Sequence, residues 1–329
     1  MPSIRRILVA IKNPAARSLP AVQKAAQLAR GMRARVILFH GLADPVYIES
    51  PEAGAPPFAE AQEAQRQAQL RRLESLAAKL RRSGIQASSV VEWDYPAHEA
   101  VLRQAAKTRA DLIIAEAHPT RQHAAWLLRF TDWELVRRSP VPVLLVRSIR
   151  PYRRPAVLAA VDPLHAFAKP AKLDRQILRQ ASIVSKALGG VLHAVYAYDP
   201  MPVGLDGAQL ISAEAIESVR RSTLERAQAA LTRAVRASHI APARRHLVGR
   251  HPVDAIIETA EELGCGLLVM GAISRSGLKR LLLGDTAERI IDRLSCDVLI
   301  VKPAHFASRI ARATRGARII AWPVTAPGL

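Results

Sequence analysis

CGLLVMGAISRSGLKRLLLGDTAERIIDRLSCDVLIV, residues 265–301, is the stretch whose reading decides the fold. Gly266 to Met270 is an apolar run long enough for a buried strand, and Asp297 to Val301 reads as another. Between them residues 271–284 are rich in Gly, Ser and Arg, and Thr286 to Leu294 has the spacing of a helix. α/β proteins build phosphate sites in this order of strand, glycine loop, helix and strand, because backbone N–H groups at a helix start attract anions.

The same pattern occurs once more. Laid without gaps over residues 265–301, residues 110–146 put ADLIIAEA over CGLLVMGA, Thr131 over Thr286 and PVLLV over DVLIV. Ile7 to Ile11 matches Val157 to Val161, Arg35 to Phe39 matches Val191 to Val195, and PAHEA at 96–100 resembles PVDAI at 252–256. An internal repeat of this length means two copies of one domain. The expected division is 1–150, then 151–303 after the basic, Pro-bounded linker RPYRRP, then a tail at 304–329. Each copy reads as strands separated by helices, among them Pro20 to Gly31, Phe58 to a stop at Gly84, and Pro96 to Arg109. That pattern implies a doubly wound parallel sheet with right-handed crossovers and helices on both faces. The expected fold is therefore α/β: two tandem five-stranded sheets of strand order 3-2-1-4-5. In such a sheet the loops after strands one and four face each other across a crevice, so Asp162 and the Gly271 loop share a site.

The chain's 329 residues are 50% hydrophobic with mean hydropathy +0.05, as compact folded units require. ILVAI near the start is too short for a secretory h-region, and no apolar stretch approaches the roughly 20 residues of a membrane span. Cys265 and Cys296 are the only cysteines, each at a strand, which suits buried thiols in a reducing cytoplasm rather than a disulfide framework or a metal site. The net charge of +20 is spread evenly: residues 1–150 carry 23 Lys/Arg against 13 Asp/Glu, and residues 151–329 carry 25 against 15. Solvated polar faces account for it, with non-specific nucleic-acid binding at low salt as the alternative. The stretch from Lys302 to Leu329 bears Lys302, Arg309, Arg312, Arg315 and Arg318 and no acid; it reads as a disordered or docking extension, with a weak anion-binding arm as the other reading.

These residues resemble the universal stress protein family over nearly the whole chain, as two tandem domains of adenine-nucleotide alpha-hydrolase-like architecture. The opening strand VLAAVD ending in Asp162, the loop positions Gly271, Ser274, Gly284 and Asp285, and the closing CDVLIV carry the likeness. GDTAE at 284–288 and TDW at 131–133 are more like the family's tandem, E-type bacterial members. What the resemblance implies in ATP-binding members is an Asp after strand one near the adenosine, with loop glycines and a hydroxyl around the phosphates. In the first half Lys12 replaces that Asp and AEAH at 115–118 lacks the glycines, so no nucleotide is expected there. The second half retains Asp162, Gly271 and Gly284 and adds Gly277, but has Ser274 for the second glycine and Asp285 for the hydroxyl, with Thr286 next. A carboxylate about 4 Å from a phosphate oxygen costs on the order of 4 kcal/mol at an effective dielectric of about 20, against the ~0.3–1 kcal/mol that a helix N-terminus supplies. Asp285-Thr286-Ala287-Glu288 also has the form of a capping box that needs no ligand.

No P-loop, GxSxG elbow or HExxH is present. His118 and His123, and His246 and His251, lack the Cys or carboxylate companions of a metal site. The expectation is a cytoplasmic, non-enzymatic stress protein with no metal, acting through ligand binding or protein contacts. Its two domains are expected to pair within the chain, or between chains as a homodimer. The alternatives are an ATP-binding, slowly hydrolysing switch confined to the second domain, a nucleic-acid binder, and an apolar-ligand carrier with residues 41–57 or 198–211 as its lid.

Overall fold

The computed structural model of the chain describes residues 4–44, 46–48, 56–117, 133–164, 173–200, 212–271, 285–303, 306 and 310–321. Two compact units emerge, Met1–Val143 together with Ala307–Leu329, and Leu144–Phe306.

The first unit runs β1 (Arg6–Ala10), α1 (Pro20–Met32), β2 (Arg35–Leu42), β3 (Val46–Ile48), α2 (Pro56–Arg82), β4 (Ala87–Trp93), α3 (Ala97–Thr108), β5 (Leu112–Glu116), α4 (133–138) and β6 (Val143–Val146). The second runs β7 (Ala156–Ala160), α5 (Leu173–Ala187), β8 (Val191–Ala197), α6 (Ala213–Val235), β9 (Arg245–Val248), α7 (Pro252–Glu262), β10 (Leu267–Gly271), α8 (Asp285–Arg293) and β11 (Asp297–Val301). β1, β5, β7 and β10 are almost wholly buried, as continuous apolar runs in a sheet covered on both faces must be. The strands pair in parallel, in register such as Ile7↔Val36 and Ile7↔Leu112 in the first unit and Leu267↔Val157 and Leu267↔Asp297 in the second.

In the second unit the order β9-β8-β7-β10-β11 is the expected 3-2-1-4-5. In the first, β4-β2-β1-β5 reproduces four places of it; the fifth strand, β6, is cut by the division between units after Val143. Helix α1 departs from expectation by running through Gly31 to Met32. Gly31 lies on the exposed face, where one helical glycine costs only about 1 kcal/mol. The left-handed cap falls instead on Arg33, at φ 54°, whose N–H bonds the Ala29 carbonyl. Gly84, at φ 82°, does follow α2 as expected. The proposed lid residues 49–55 and 201–211 lie outside the described residues, as do His118, His123, Trp126 and Phe130.

Of the two structural readings of the tail, docking is the one observed for residues 310–321, which pack on the first unit rather than form a free extension. β12 (Ile319–Ala321) pairs in parallel with β3, and Val46 donates to the Arg318 carbonyl at 2.8 Å. The anchor is an ion network that no sequence motif announces. Arg103 of α3 has a side chain only 2% exposed and makes two bonds to Asp94, 1% exposed, at 2.6 and 2.7 Å. It also donates to Glu99 at 3.0 Å and to the Tyr95 carbonyl at 3.0 Å. Arg315 of the tail joins from outside: its backbone N–H donates to Asp94 at 3.0 Å, its guanidinium meets Glu99 at 2.9 Å, and it lies over the Tyr95 ring. Arg138 of α4 bonds both Glu99 and Glu134. Burial opposes the Arg103 charge, but the bonds it donates to Asp94 and Glu99 outweigh that and hold its pKa above the ordinary value.

Replacing one partner of a buried, hydrogen-bonded pair strands the other charge, at a cost of about 3–5 kcal/mol. Arg103→Met is expected to lower urea-unfolding stability by that amount. Lys107→Met provides the surface comparison on the same helix, and its expected loss is small because an exposed pair such as Lys107–Glu92 is worth only about 0–1 kcal/mol.

Candidate functional site

β7 and β10 are neighbours, so their carboxyl ends open side by side. β7 delivers Val161, whose N–H bonds the Val195 carbonyl at 3.0 Å, and then Asp162, which is buried. β10 ends at Gly271, paired with Val301 of β11. The structure thus brings together Asp162 and Gly271, as the strand order demands. Ser274, Gly277 and Gly284 lie outside the described residues. Asp285 and Thr286 open α8, one residue earlier than the sequence spacing suggests; their side chains, and so the capping box, are not among the described features.

Two residues that sequence reasoning missed complete the cluster. Asp174, buried in the first turn of α5, accepts the Asp162 N–H through Oδ2 at 3.0 Å. Tyr196 of β8 is fully enclosed, and its phenol is pushed up to about 12 by burial first and then by the Asp162 and Asp174 carboxylates. The available signal for Asp174 is an acid in a helix's first turn, where the helix dipole favours it. Tyr196 gives none, sitting in the apolar run VLHAVYA. Lys302, the buried cation just past β11, packs over Phe306 with its amine 4.9 Å from the ring centre. The two carboxylates can accept from hydroxyl or amine groups of a ligand, with the enclosed Tyr196 phenol behind them. They repel an anion, and none is arranged as a nucleophile with an adjacent base.

Gly271 has a packing reason that needs no ligand. A Cβ there would stand 2.5 Å from Leu173 Cδ2, 3.2 Å from Leu173 Cγ and 3.3 Å from Ile177 Cδ1, and its φ is not positive. The glycine lets α5 close onto the strand end. Gly271→Ala is expected to destabilise the second unit by about 1–3 kcal/mol through overpacking, read as a shift in the urea midpoint.

The corresponding place in the first unit is occupied from within. Lys12 Nζ donates to the Glu116 carbonyl at 3.2 Å, and Glu116 Oε1 accepts the Ala21 N–H at 3.1 Å, in the first turn of α1. A protein carboxylate already satisfies that helix start.

Elsewhere, the histidine pairing read from sequence is replaced by another. His251 caps α7 through the Val253 N–H. His246 of β9 instead meets His193 of β8, ring nitrogens 3.0 Å apart and rings 5.3 Å between centres. One proton is shared in that N–H···N bond. Among the described residues no group of three or more His, Cys, Asp or Glu could hold a metal ion. Burial lowers both imidazoles below their ordinary 6.5; Arg244 lowers His193 further, and Glu262 partly offsets the effect at His246. His40 and His98 are shifted in the same direction, mainly by burial. The unfolded chain therefore binds more protons below about pH 6.5. Stability is expected to be intact above that pH and to fall as pH drops through the lowered values. His193→Asn should flatten the decline below about pH 6.5 in denaturant titrations.

Tandem doubly wound units with a strand-end site define the class. The model for the universal stress protein family matches residues 3–147 and 157–302, so the chain belongs to that family. It is similar to the protein named universal stress protein E of Photorhabdus laumondii, 24% identical over 93% of this chain and 97% of the relative. The Escherichia coli K12 protein of that name is 28% identical over 68% of this chain and 71% of the relative. A crystal structure of a putative universal stress protein from Pseudomonas aeruginosa UCBPP-PA14 superposes with TM-score 0.70 at 25% identity, covering 92% of this chain and 95% of that one.

Proposed function

We propose that the protein is a non-catalytic, cytoplasmic universal stress protein that acts by binding a small polar ligand in its second unit, the first unit serving as scaffold. The asymmetry of the two strand-end sites carries this reading. Lys12 and Glu116 fill one from within, whereas the other places the Asp162 and Asp174 carboxylates beside a glycine strand end, backed by the enclosed Tyr196. Carboxylates suit a hydroxyl- or amine-bearing ligand such as a sugar or nucleoside moiety better than a polyphosphate. The cytoplasmic placement rests on the chain's two thiols, which suit a reducing compartment, and on its bacterial relatives. Among the described residues no helix is long and apolar enough to cross a membrane.

An ATP-binding switch is the second reading, supported by the juxtaposition of Asp162 and Gly271. One solved universal stress protein is a complex with cAMP, which is a property of that protein. Native mass spectrometry of the chain purified from its own host is expected to show a retained polar ligand that is lost in Asp162→Ala and kept in Lys12→Ala. Micromolar Mg·ATP binding in isothermal titration, abolished by Asp162→Ala, would replace this reading with the switch.

A further inference from the structure

At the other end of the second unit's strands lies a cluster that plays no part in ligand binding. β10 and β11 begin at the paired residues Leu267 and Asp297. Cys296 stands one residue before this pair and Cys265 two before it. Cys296 falls opposite Gly266, so Cys265 is offset by about 3.3 Å along the strand and about 4.8 Å across it, a spacing of about 6 Å that lies within the roughly 4.4–6.8 Å a disulfide spans. The two thiols act on each other electrostatically. Cys265 Sγ also donates to the Ala156 carbonyl at 3.5 Å. Cys296 is buried, while Cys265 is part-exposed and so within reach of solvent.

The surroundings are polar and built. Asp297, fully buried, accepts the backbone N–H groups of Arg147 and Ser148 at 2.9 and 3.0 Å and the Tyr152 hydroxyl at 2.6 Å. The Arg147 guanidinium donates to the Ile291 carbonyl, and Arg147 and Tyr152 both feel the charge of Cys296. The two thiols are unequal. The neighbouring Cys296, together with the Leu267 and Leu158 backbone groups, favours the Cys265 thiolate; the same pairing, with burial and Asp297, holds the Cys296 proton on.

We propose that Cys265 and Cys296 are a hydroperoxide-responsive dithiol, with Cys265 as the attacking sulfur and Cys296 as the resolving one, that closes to a reversible disulfide. The Cys265 thiolate attacks the terminal oxygen of a hydroperoxide. The O–O bond breaks, its electron pair leaves with the alkoxide, which takes a proton from solvent, and Cys265 becomes a sulfenic acid. Cys296 then gives up its proton and attacks the Cys265 sulfur; the S–O bond breaks and hydroxide leaves as water. Two thiols and one hydroperoxide yield one disulfide, one alcohol and one water, the sulfurs losing the two electrons that the peroxide gains. The bond ties the start of β10 to the start of β11, beside the Asp297 clamp, and closes a ring that contains Gly271 and all of α8. A disulfide in a reducing compartment is of the transient, redox-sensing kind.

The test uses the reduced full-length chain, treated with hydrogen peroxide, alkylated under denaturing conditions and weighed intact. The expected product is lighter by two hydrogen atoms, takes up no alkylating agent, gives a cross-linked peptide pair containing both cysteines, melts several degrees higher and reverts with dithiothreitol. In Cys296→Ser, peroxide should leave a Cys265 sulfenic acid that dimedone traps; in Cys265→Ser, dimedone labelling should be lost. Two alkylatable thiols after peroxide, cross-links between chains, or dimedone labelling confined to Cys296 would each overturn the proposal. The wild-type mass measurement needs no variant, so a serine replacement that fails to fold leaves the test intact.

Discussion

A guanidinium withdrawn from water holds the first unit together. Burying Arg103 costs several kcal/mol by itself, and only a full set of acceptors offsets that. Asp94 supplies two bonds in fork geometry, and Glu99 and the Tyr95 carbonyl supply the rest. Every element that contributes an acceptor is thereby fixed relative to α3: the end of β4, the turn at Tyr95 and, through Glu99 and Arg138, α4. The tail is recruited by the same carboxylates, since Arg315 brings a backbone donor to Asp94 and a charge to Glu99. One charge of a basic, acid-free extension, that of Arg315, thus finds its counter-charge in the first unit.

The second unit uses a carboxylate in the mirror role. Asp297 receives two backbone donors and a phenol, so the segment from Arg147 to Tyr152 is held to the foot of β11. Burial and the adjacent Asp297 raise the Tyr152 phenol well above its ordinary range, which keeps it a donor at physiological pH. The two ends of this sheet therefore differ in chemistry. The carboxyl end gathers Asp162, Asp174 and Tyr196; the amino end gathers Asp297, Tyr152 and two thiols, of which Cys265 is part-exposed.

The two copies of the repeat differ in what occupies their strand ends. At the first strand end Lys12 stands where the second copy has Asp162, and Lys12 and Glu116 make internal bonds to the Glu116 carbonyl and the start of α1. At the second, Gly271 remains, but Leu173 and Ile177 show that its missing side chain is a condition for packing α5 onto β10. A glycine in a loop signature can thus persist for reasons of volume alone.

The sequence by itself determined the class of fold, because parallel strands buried on both faces must be continuous apolar runs and the helices between them must be amphipathic. It also determined the tandem repeat and the adjacency of Asp162 and Gly271, which follows from strand order alone. Helix limits were legible to within one or two residues; at Gly31 the reading failed because an exposed glycine is tolerated inside a helix. Only the tertiary structure decided which charges meet. Asp94, Arg103 and Arg315, like Asp162, Asp174 and Tyr196, or Cys265 and Cys296, are distant or unremarkable in sequence. Hydrogen bonds and ion pairs between side chains act over a few ångströms, and no periodicity records which residues the folded chain brings that close.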